Sequence, residues 1–230
     1  MTAFATTRWS LILESRSDTA SAHEALQALC TAYRGPVLAY VRHRGHGRED
    51  AEDLTQEFFA HFLAERIHHA ADPARGRFRA YLLGALRYFL ADQFTVKSAL
   101  KRGGRAQHEP LDEAEPSGSD QPERVFERHW ALTVMQRALT RMRAEAEAAG
   151  KERLFDALRD FLVEQPSTDD YERVCAQLGM RRNTLAVAVH RMRHRLRELI
   201  RAELADTVLS PEDVEAELGA LREVLGGAAT

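Results

Sequence analysis

Apolar residues recur at intervals of three and four positions along most of the chain, which is the spacing of amphipathic α-helices. Residues 21–44, 48–65 and 77–100 each carry such a stripe, and the pair Gly35-Pro36 marks a kink or break in the first of them. No segment shows the alternation rich in Val, Ile and Thr that predicts strands. The pattern therefore predicts an all-α fold.

Residues 103–124 interrupt the helical pattern. They are rich in Gly, Pro and acidic residues and contain few apolar ones, which is typical of a flexible linker. We therefore predict two helical domains, at residues 1–102 and 125–205, followed by a helical extension at residues 206–230. An amphipathic helix in this extension begins at Pro211, and we expect it to pack on the second domain or to bind a regulator.

The sharpest local pattern lies in residues 170–200 and predicts a helix-turn-helix. Cys175 is the small residue that such a helix pair needs at its contact, and Gly179 four residues later supplies the turn. The second helix has a strongly basic side, which matches the major groove and the phosphates of DNA. The alternative interpretation is a solvated face on a core helix. The basic side consists of Arg181, Arg182, Asn183, His190, Arg191, Arg193, His194, Arg195 and Arg197.

An acidic stripe occupies residues 49–57, where Asp50, Asp53 and Glu57 share one side of a helix. Like charges at this density destabilise a helix, and their position near its N-terminus recovers part of that loss through the helix dipole. This surface cannot bind DNA. The residues alone leave open a solvated face, a metal site or a docking surface for a basic partner, and they favour the first.

Basic and aromatic residues are interleaved after the loop at residues 72–77. Rings that stack on bases, together with cations that follow the phosphates, are typical of proteins that bind single-stranded nucleic acid. We expect Phe78, Leu82 and Phe89 to be core residues. We expect Tyr88, with the basic cluster that follows it, to be available for nucleic acid.

The composition of the chain excludes several classes of protein. The 230 residues carry a formal net charge of -3, which excludes a polycation that coats DNA. No apolar run is long enough to span a membrane, no signal peptide opens the chain, and two Cys cannot form a framework of disulfides. We therefore expect a cytoplasmic protein without membrane contact. None of the ten His precedes an Asp and neither Cys has zinc spacing, so we expect no enzyme, no cofactor and no metal site.

Three segments, in their order along the chain, resemble bacterial sigma factors of the extracytoplasmic-function (ECF) group. DAEDLTQEFF at residues 50–59 resembles the polymerase-docking helix, RFRAYLLGALRYFLADQ at 77–93 the helix that melts the promoter, and residues 170–197 the reader of the upstream element. Further motifs resemble a large ECF-like subgroup, namely TRWSLIL at 7–13, KRGG at 101–104 and ERHWAL at 127–132.

The resemblance implies a sigma factor that binds core RNA polymerase, recognises the minus-thirty-five and minus-ten promoter elements, and melts the DNA. Its partners would be the basic clamp helices of the largest polymerase subunit, the flap of the second largest, promoter DNA and, as a further candidate, an anti-sigma factor. The acidic linker would run through the RNA exit path. The residues facing the clamp helices would be Asp50, Asp53, Gln56 and Glu57.

The resemblance also assigns the DNA contacts. The loop at residues 66–77 and the start of the following helix would hold a flipped base of the minus-ten element. Contacts to this element would come from Arg79, Arg87, Tyr88, Asp92 and Gln93, with Lys101 and Arg102 on backbone phosphates. Contacts to the minus-thirty-five element would come from Arg181, Arg182, Asn183, Thr184, His190 and Arg191.

The chain departs from the ECF pattern in two places. Ala186 and Ala188 stand where many ECF factors have Lys and Arg, so base readout is weaker or relies on apolar contacts with thymine methyl groups. Tyr88 stands where many relatives have Asn. Two other functions stay open, a DNA-binding regulator that acts alone and a sigma-like competitor for core polymerase. Regulation could act through the C-terminal helix or through phosphorylation of Thr55 beside the docking acids.

Overall fold

The computed structural model describes residues 19–72, 75–102, 121–205 and 211–226, with only the backbone described for residues 96–102 and 211–212. These residues form α-helices and short 3-10 helices and contain no strand, which confirms the all-α fold. The helices are α1 (Ala20–His43), α2 (Arg48–Ala64), α3 (Phe78–Arg102), α4 (Pro122–Ala148), α5 (Glu152–Leu158), α6 (Thr168–Leu178), α7 (Arg182–Ala205) and α8 (Pro211–Gly226), with 3-10 helices at Ile67–Ala70 and Asp160–Leu162.

The helices divide between two compact units. The first unit combines the described residues up to Thr133 with Ala205 and α8, and the second unit spans Val134–Leu204. Helix α4 begins at Pro122, within the range predicted as linker, and the boundary between the units falls inside it. Helix α8 belongs to the first unit, together with residues 125–133 of the predicted second domain, and the expectation that it packs on that domain or binds a regulator stays a prediction. Linker residues 103–120 and the TRWSLIL motif lie outside the described residues.

The core of the first unit is built from the apolar faces of α1, α2 and α3. The Phe58 ring lies 5.6 Å from the Phe89 ring, and the Tyr33 ring lies 5.6 Å from the Phe78 ring, between centroids. Phe78, Leu82 and Phe89 are buried, as predicted. Helix α1 runs unbroken through the buried Pro36, so packing on both sides of the proline holds the helix where the sequence indicated a kink or break.

The first part of the connection between α2 and α3, residues 65–71, contacts α3. Arg66 adopts a left-handed conformation with φ of 50°, which ends α2 and redirects the chain into the 3-10 helix Ile67–Ala70. The Tyr81 hydroxyl on α3 donates a hydrogen bond of 2.6 Å to the Ile67 carbonyl. The connection is therefore fastened to α3.

The second unit contains the two helices predicted for residues 170–200, here α6 and α7. Ser167 caps α6 through a reciprocal capping box with Asp170, and Gly179 ends it in a left-handed conformation with φ of 65°. Cys175 packs against the core beneath the pair, as predicted from its size. That core consists of Leu158, Phe161, Val174, Leu185 and Val189.

None of the helices in the described parts of the chain is long and apolar enough to cross a membrane.

Candidate functional site

Helix α2 separates apolar and acidic residues onto opposite faces. Its apolar face is buried in the core of the first unit and consists of Ala51, Leu54, Phe58, Phe59 and Phe62. The predicted docking residues Asp50, Asp53, Gln56 and Glu57 are all exposed. The spacing of three and four residues between the acids brings them together on one surface, which we call the acidic face. It lies on the first turns of α2, where the helix dipole favours negative charge.

Two neighbours of the acidic face are engaged within the fold. Glu52 forms a salt bridge with Arg34 of α1. Thr55 is buried, and its hydroxyl donates a hydrogen bond of 2.7 Å to the Ala51 carbonyl. The hypothesis that Thr55 is phosphorylated is therefore wrong for this folded state, because a kinase cannot reach a hydroxyl inside the core.

A shallow depression of about 360 Å³ opens at the C-terminal end of α2. Tyr88 lines this depression and has 77% of its surface exposed. Tyr81 and Ile67, which are joined by the hydrogen bond described above, also line it. Gly84 leaves open space, since a Cβ built there would meet no atom within 4 Å. The lining residues are His61, Ile67, Tyr81, Gly84, Ala85 and Tyr88. We call this depression the α3 pocket.

The α3 pocket lies where the sequence predicted a site for a flipped base, at the connection after α2 and on the following helix. Its lining includes residues that were not predicted, namely His61, Gly84 and Ala85. An isolated Gly inside a helical pattern was an available signal, because Gly in a helix interior reduces stability and often has a packing or functional reason. His61 carried no comparable signal in the sequence. Its ring lies 5.5 Å from the Phe89 ring.

Among the predicted DNA contacts whose side chains the structure describes, Arg79 is the one that is deeply buried, with only 4% of its side chain exposed. Its Nε lies 2.7 Å from Glu127 Oε2 on α4 and its Nη1 lies 2.6 Å from Glu217 Oε2 on α8. Its guanidinium carbon lies 4.0 Å from the centre of the Trp130 ring. Arg77 also forms a salt bridge with Glu217, and its side chain is 44% exposed. In this conformation Arg79 does not reach DNA, contrary to the sequence prediction.

The charge of Arg79 is maintained by its partners. Burial alone would lower the pKa of Arg79, but Glu127 and Glu217 raise it above its ordinary value, so the guanidinium stays protonated. We call the group of Arg77, Arg79, Glu127 and Glu217 the buried ion cluster. It connects α3 with the first turns of α4 and with α8, within the first unit.

The other minus-ten candidates are distributed along α3. Arg87 is exposed, and its Nη1 lies 3.8 Å from Glu123 Oε1. An ion pair this long and this exposed contributes little to stability. Asp92 is exposed and Gln93 is half-buried. Lys101 and Arg102 lie on the last turn of α3, and their side chains are outside the described residues. Of these candidates, Tyr88 lines the α3 pocket and Arg87 is its neighbour in the sequence.

The predicted minus-thirty-five contacts are all exposed on α7 or at its start. They are Arg181, Arg182, Asn183, Thr184, His190 and Arg191. The Arg182 guanidinium lies 5.9 Å from the centre of the Tyr171 ring on α6. The surface they form, which we call the α7 face, carries basic residues at both ends.

Other arginines of α7 are used inside the second unit. Arg193 donates hydrogen bonds of 2.9 Å to the carbonyls of Phe161 and Glu164. Arg195 donates two hydrogen bonds of 2.8 Å to the carboxylate of Glu145, which hold the pKa of Glu145 below its ordinary value. The basic side of the sequence thus divides into arginines that fasten the fold and arginines that face solvent.

Within residues 19–72, 75–102, 121–205 and 211–226, no group of three or more His, Cys, Asp or Glu could hold a metal ion. Cys30 and Cys175 are half-buried and form no disulfide. Burial raises the pKa of the Cys30 thiol to about 11, so this thiol stays protonated at neutral pH.

Comparison with known proteins identifies one region. Residues 29–99 match the family model described as Sigma-70 region 2. The match runs from the middle of α1 through the acidic face and the α3 pocket into the last turns of α3. No curated protein and no solved structure is a significant match for the chain.

Proposed function

We propose that the chain is a sigma-70 family factor of the ECF type that opens promoters carrying minus-ten and minus-thirty-five elements, because its residues 29–99 match the model of Sigma-70 region 2. Members of this family bind core RNA polymerase and recognise promoter DNA as non-enzymatic initiation factors. The finer assignment is built on the three surfaces described above, the acidic face, the α3 pocket and the α7 face.

The observation that carries the proposal is the separation of the two faces of α2. An apolar face fixes the helix in the core, and the acidic face is left in solvent with its like charges together. Like charges at this density destabilise the free helix, and a basic partner surface would neutralise them. We assign that surface to the clamp helices of the largest polymerase subunit.

The α3 pocket is the proposed site for a flipped base of the minus-ten element. Extruding a base costs a few kcal/mol, and stacking on an aromatic side chain returns about 1–3 kcal/mol. Tyr88 offers an exposed ring at the pocket and Arg87 an exposed charge beside it for the phosphate backbone. Arg79 is assigned instead to the buried ion cluster, where it holds α4 and α8 on α3.

The α7 face is the proposed contact with the minus-thirty-five element. Its exposed arginines at both ends suit phosphates on either side of a major groove, and the residues between them face the bases. The flap of the second-largest polymerase subunit is the proposed partner of the second unit, and the cytoplasm is the proposed compartment.

Run-off transcription with purified core polymerase tests the proposal, using templates from a fragment library of the host genome. The test variant is Asp53→Arg on the acidic face. The matched control is Glu24→Arg, which reverses an exposed acid on α1 of the same unit. We expect discrete transcripts with the unchanged chain and the control, and none with Asp53→Arg.

Two other results would replace the proposed function. Core binding without transcripts from any template would indicate a sigma-like competitor. Absence of core binding, together with specific binding to duplex DNA by the chain alone, would indicate a DNA-binding regulator that acts without polymerase.

A further inference from the structure

The centre of the α7 face contains no charged residue. From Asn183 through Val189 the sequence is NTLAVAV, so its only side-chain hydrogen-bonding groups are those of Asn183 and Thr184. Leu185 and Val189 are buried in the core of the second unit, whereas Val187 has 50% of its surface exposed. An exposed β-branched apolar residue is thus presented on a surface whose ends are basic.

Helical geometry puts Val187 in the middle of that surface. It lies one turn after Asn183 and Thr184 and one turn before His190 and Arg191, so all five side chains share a side of α7. The polar groups therefore flank the valine above and below along the helix. A ligand that contacts both ends of the α7 face must also cover Val187.

The chemistry of the major groove distinguishes what such a surface can read. Guanine is read by Arg or Lys, which donate to its O6 and N7, adenine by the amide of Asn or Gln, and thymine by apolar contact with its methyl group. The central segment offers an amide at Asn183 and apolar surface at Ala186 and Val187, both exposed, but no Arg or Lys. Arg182, at the start of the helix, lies over the Tyr171 ring.

We propose that Val187, with Ala186, reads thymine methyl groups and that Asn183 reads a neighbouring adenine, so that the upstream promoter element of this factor is rich in A·T pairs and not in guanine. This inference rests on the proposed function and names the base specificity of its α7 face. Val187 is a specificity-determining residue, and the flanking arginines supply binding that does not depend on sequence.

The experiment uses the full chain bound to core polymerase and a DNA library. Each library member carries a fixed, pre-opened minus-ten bubble, so that binding does not require melting, and a randomised duplex segment upstream of it. Bound DNA is selected and sequenced. We expect A·T pairs to be enriched in the upstream segment.

A second step removes single methyl groups from the selected DNA by replacing thymine with uracil. At a thymine read by Val187 this change should weaken binding about fourfold, the loss for one buried methyl-sized group. The variant Val187→Ala should bind thymine and uracil equally at that position. Val163→Ala is the matched control, because Val163 is 66% exposed in the same unit but lies outside α7. It should keep the fourfold difference.

Enrichment of a guanine-rich element, or equal binding of thymine and uracil by the unchanged chain, overturns the inference while leaving the sigma function intact. So does an upstream segment that shows no enrichment although the bubble is bound. Failure of the chain to bind core polymerase removes the proposed function and this inference together. Neither variant alters the core, since both positions are exposed, and at Val187, inside α7, Ala is the better helix former.

Discussion

Helices α2 and α3 of the first unit differ in where they place charged side chains. On α2 every member of the acidic face is exposed, and the core side is wholly apolar apart from the satisfied hydroxyl of Thr55. On α3 one arginine, Arg79, enters the interior and is neutralised there by Glu127 and Glu217. The same unit thus holds charges that are exposed to solvent and a buried charge that has internal partners. Availability for binding depends on position relative to neighbouring helices, not on residue type.

Glu217→Ala should produce the largest effect, because it removes one partner of a buried charge. We expect the first unit to lose about 3–5 kcal/mol of its free energy of unfolding, measured by urea denaturation. Glu223→Ala, an exposed acid on the same helix, should change the free energy by less than about 0.5 kcal/mol. A small effect of Glu217→Ala would mean that Arg79 is not truly buried in solution.

A double variant separates the loss of a partner from the loss of contacts. Arg79→Met combined with Glu217→Met replaces the charged pair by apolar side chains of similar length. This change should recover part of the stability lost in Glu217→Ala, because the buried guanidinium and the buried carboxylate are removed together, and Glu127, which is 29% exposed, can be hydrated. Continued instability of the double variant would indicate that the pair contributes geometry that apolar packing does not replace.

Gly84→Leu should have an intermediate effect, confined to function. The leucine side chain would occupy the α3 pocket and exclude the flipped base. The free energy of promoter opening should therefore become less favourable by about 1–3 kcal/mol, the stacking free energy of one base. Permanganate reactivity of unpaired thymines reports the opening. Gly84→Ala is the control, since its Cβ meets no atom within 4 Å and Ala favours the helix by about 1 kcal/mol. Normal opening with Gly84→Leu would exclude the pocket as the base site.

Arg191→Ala and Arg195→Ala should have the smallest effects and should differ in kind. Arg191 faces solvent, so its loss should reduce the slope of log affinity against log salt concentration by about 0.9 for promoter binding by the holoenzyme. Arg195 is bound to Glu145, so its loss should leave that slope unchanged and remove at most about 1 kcal/mol of stability from the second unit. Equal slopes for the two variants would contradict the division of the α7 arginines.

Much of this architecture could be predicted from local sequence pattern. The stripe at residues 48–65 became α2 (Arg48–Ala64), and the stripe at 77–100 became α3 (Phe78–Arg102), because three- and four-residue periodicity is set by the helix itself. The exposure of Asp53 and Tyr88 followed from the same periodicity.

Contacts between distant segments could not be predicted in this way. Arg79 lies in a segment where basic and aromatic residues are interleaved, which is typical of a DNA contact. Its partner Glu217 lies 138 residues away in the sequence. Glu52 belongs to the acidic segment, yet Arg34 of another helix engages it. Such pairings depend on how helices pack, which single-segment patterns do not encode. The identity of the DNA-contacting residues stays a prediction for the same reason.

The buried ion cluster also bears on how the protein emerges from the ribosome. Synthesis runs from the amino end, so α3 and the start of α4 are made long before Glu217. Until that residue leaves the exit tunnel, Arg79 has Glu127 but lacks one of its two carboxylates. The second unit, Val134–Leu204, is contiguous in the chain and is complete earlier. The synthesis of the first unit thus starts before that of the second unit, but its packing is completed later.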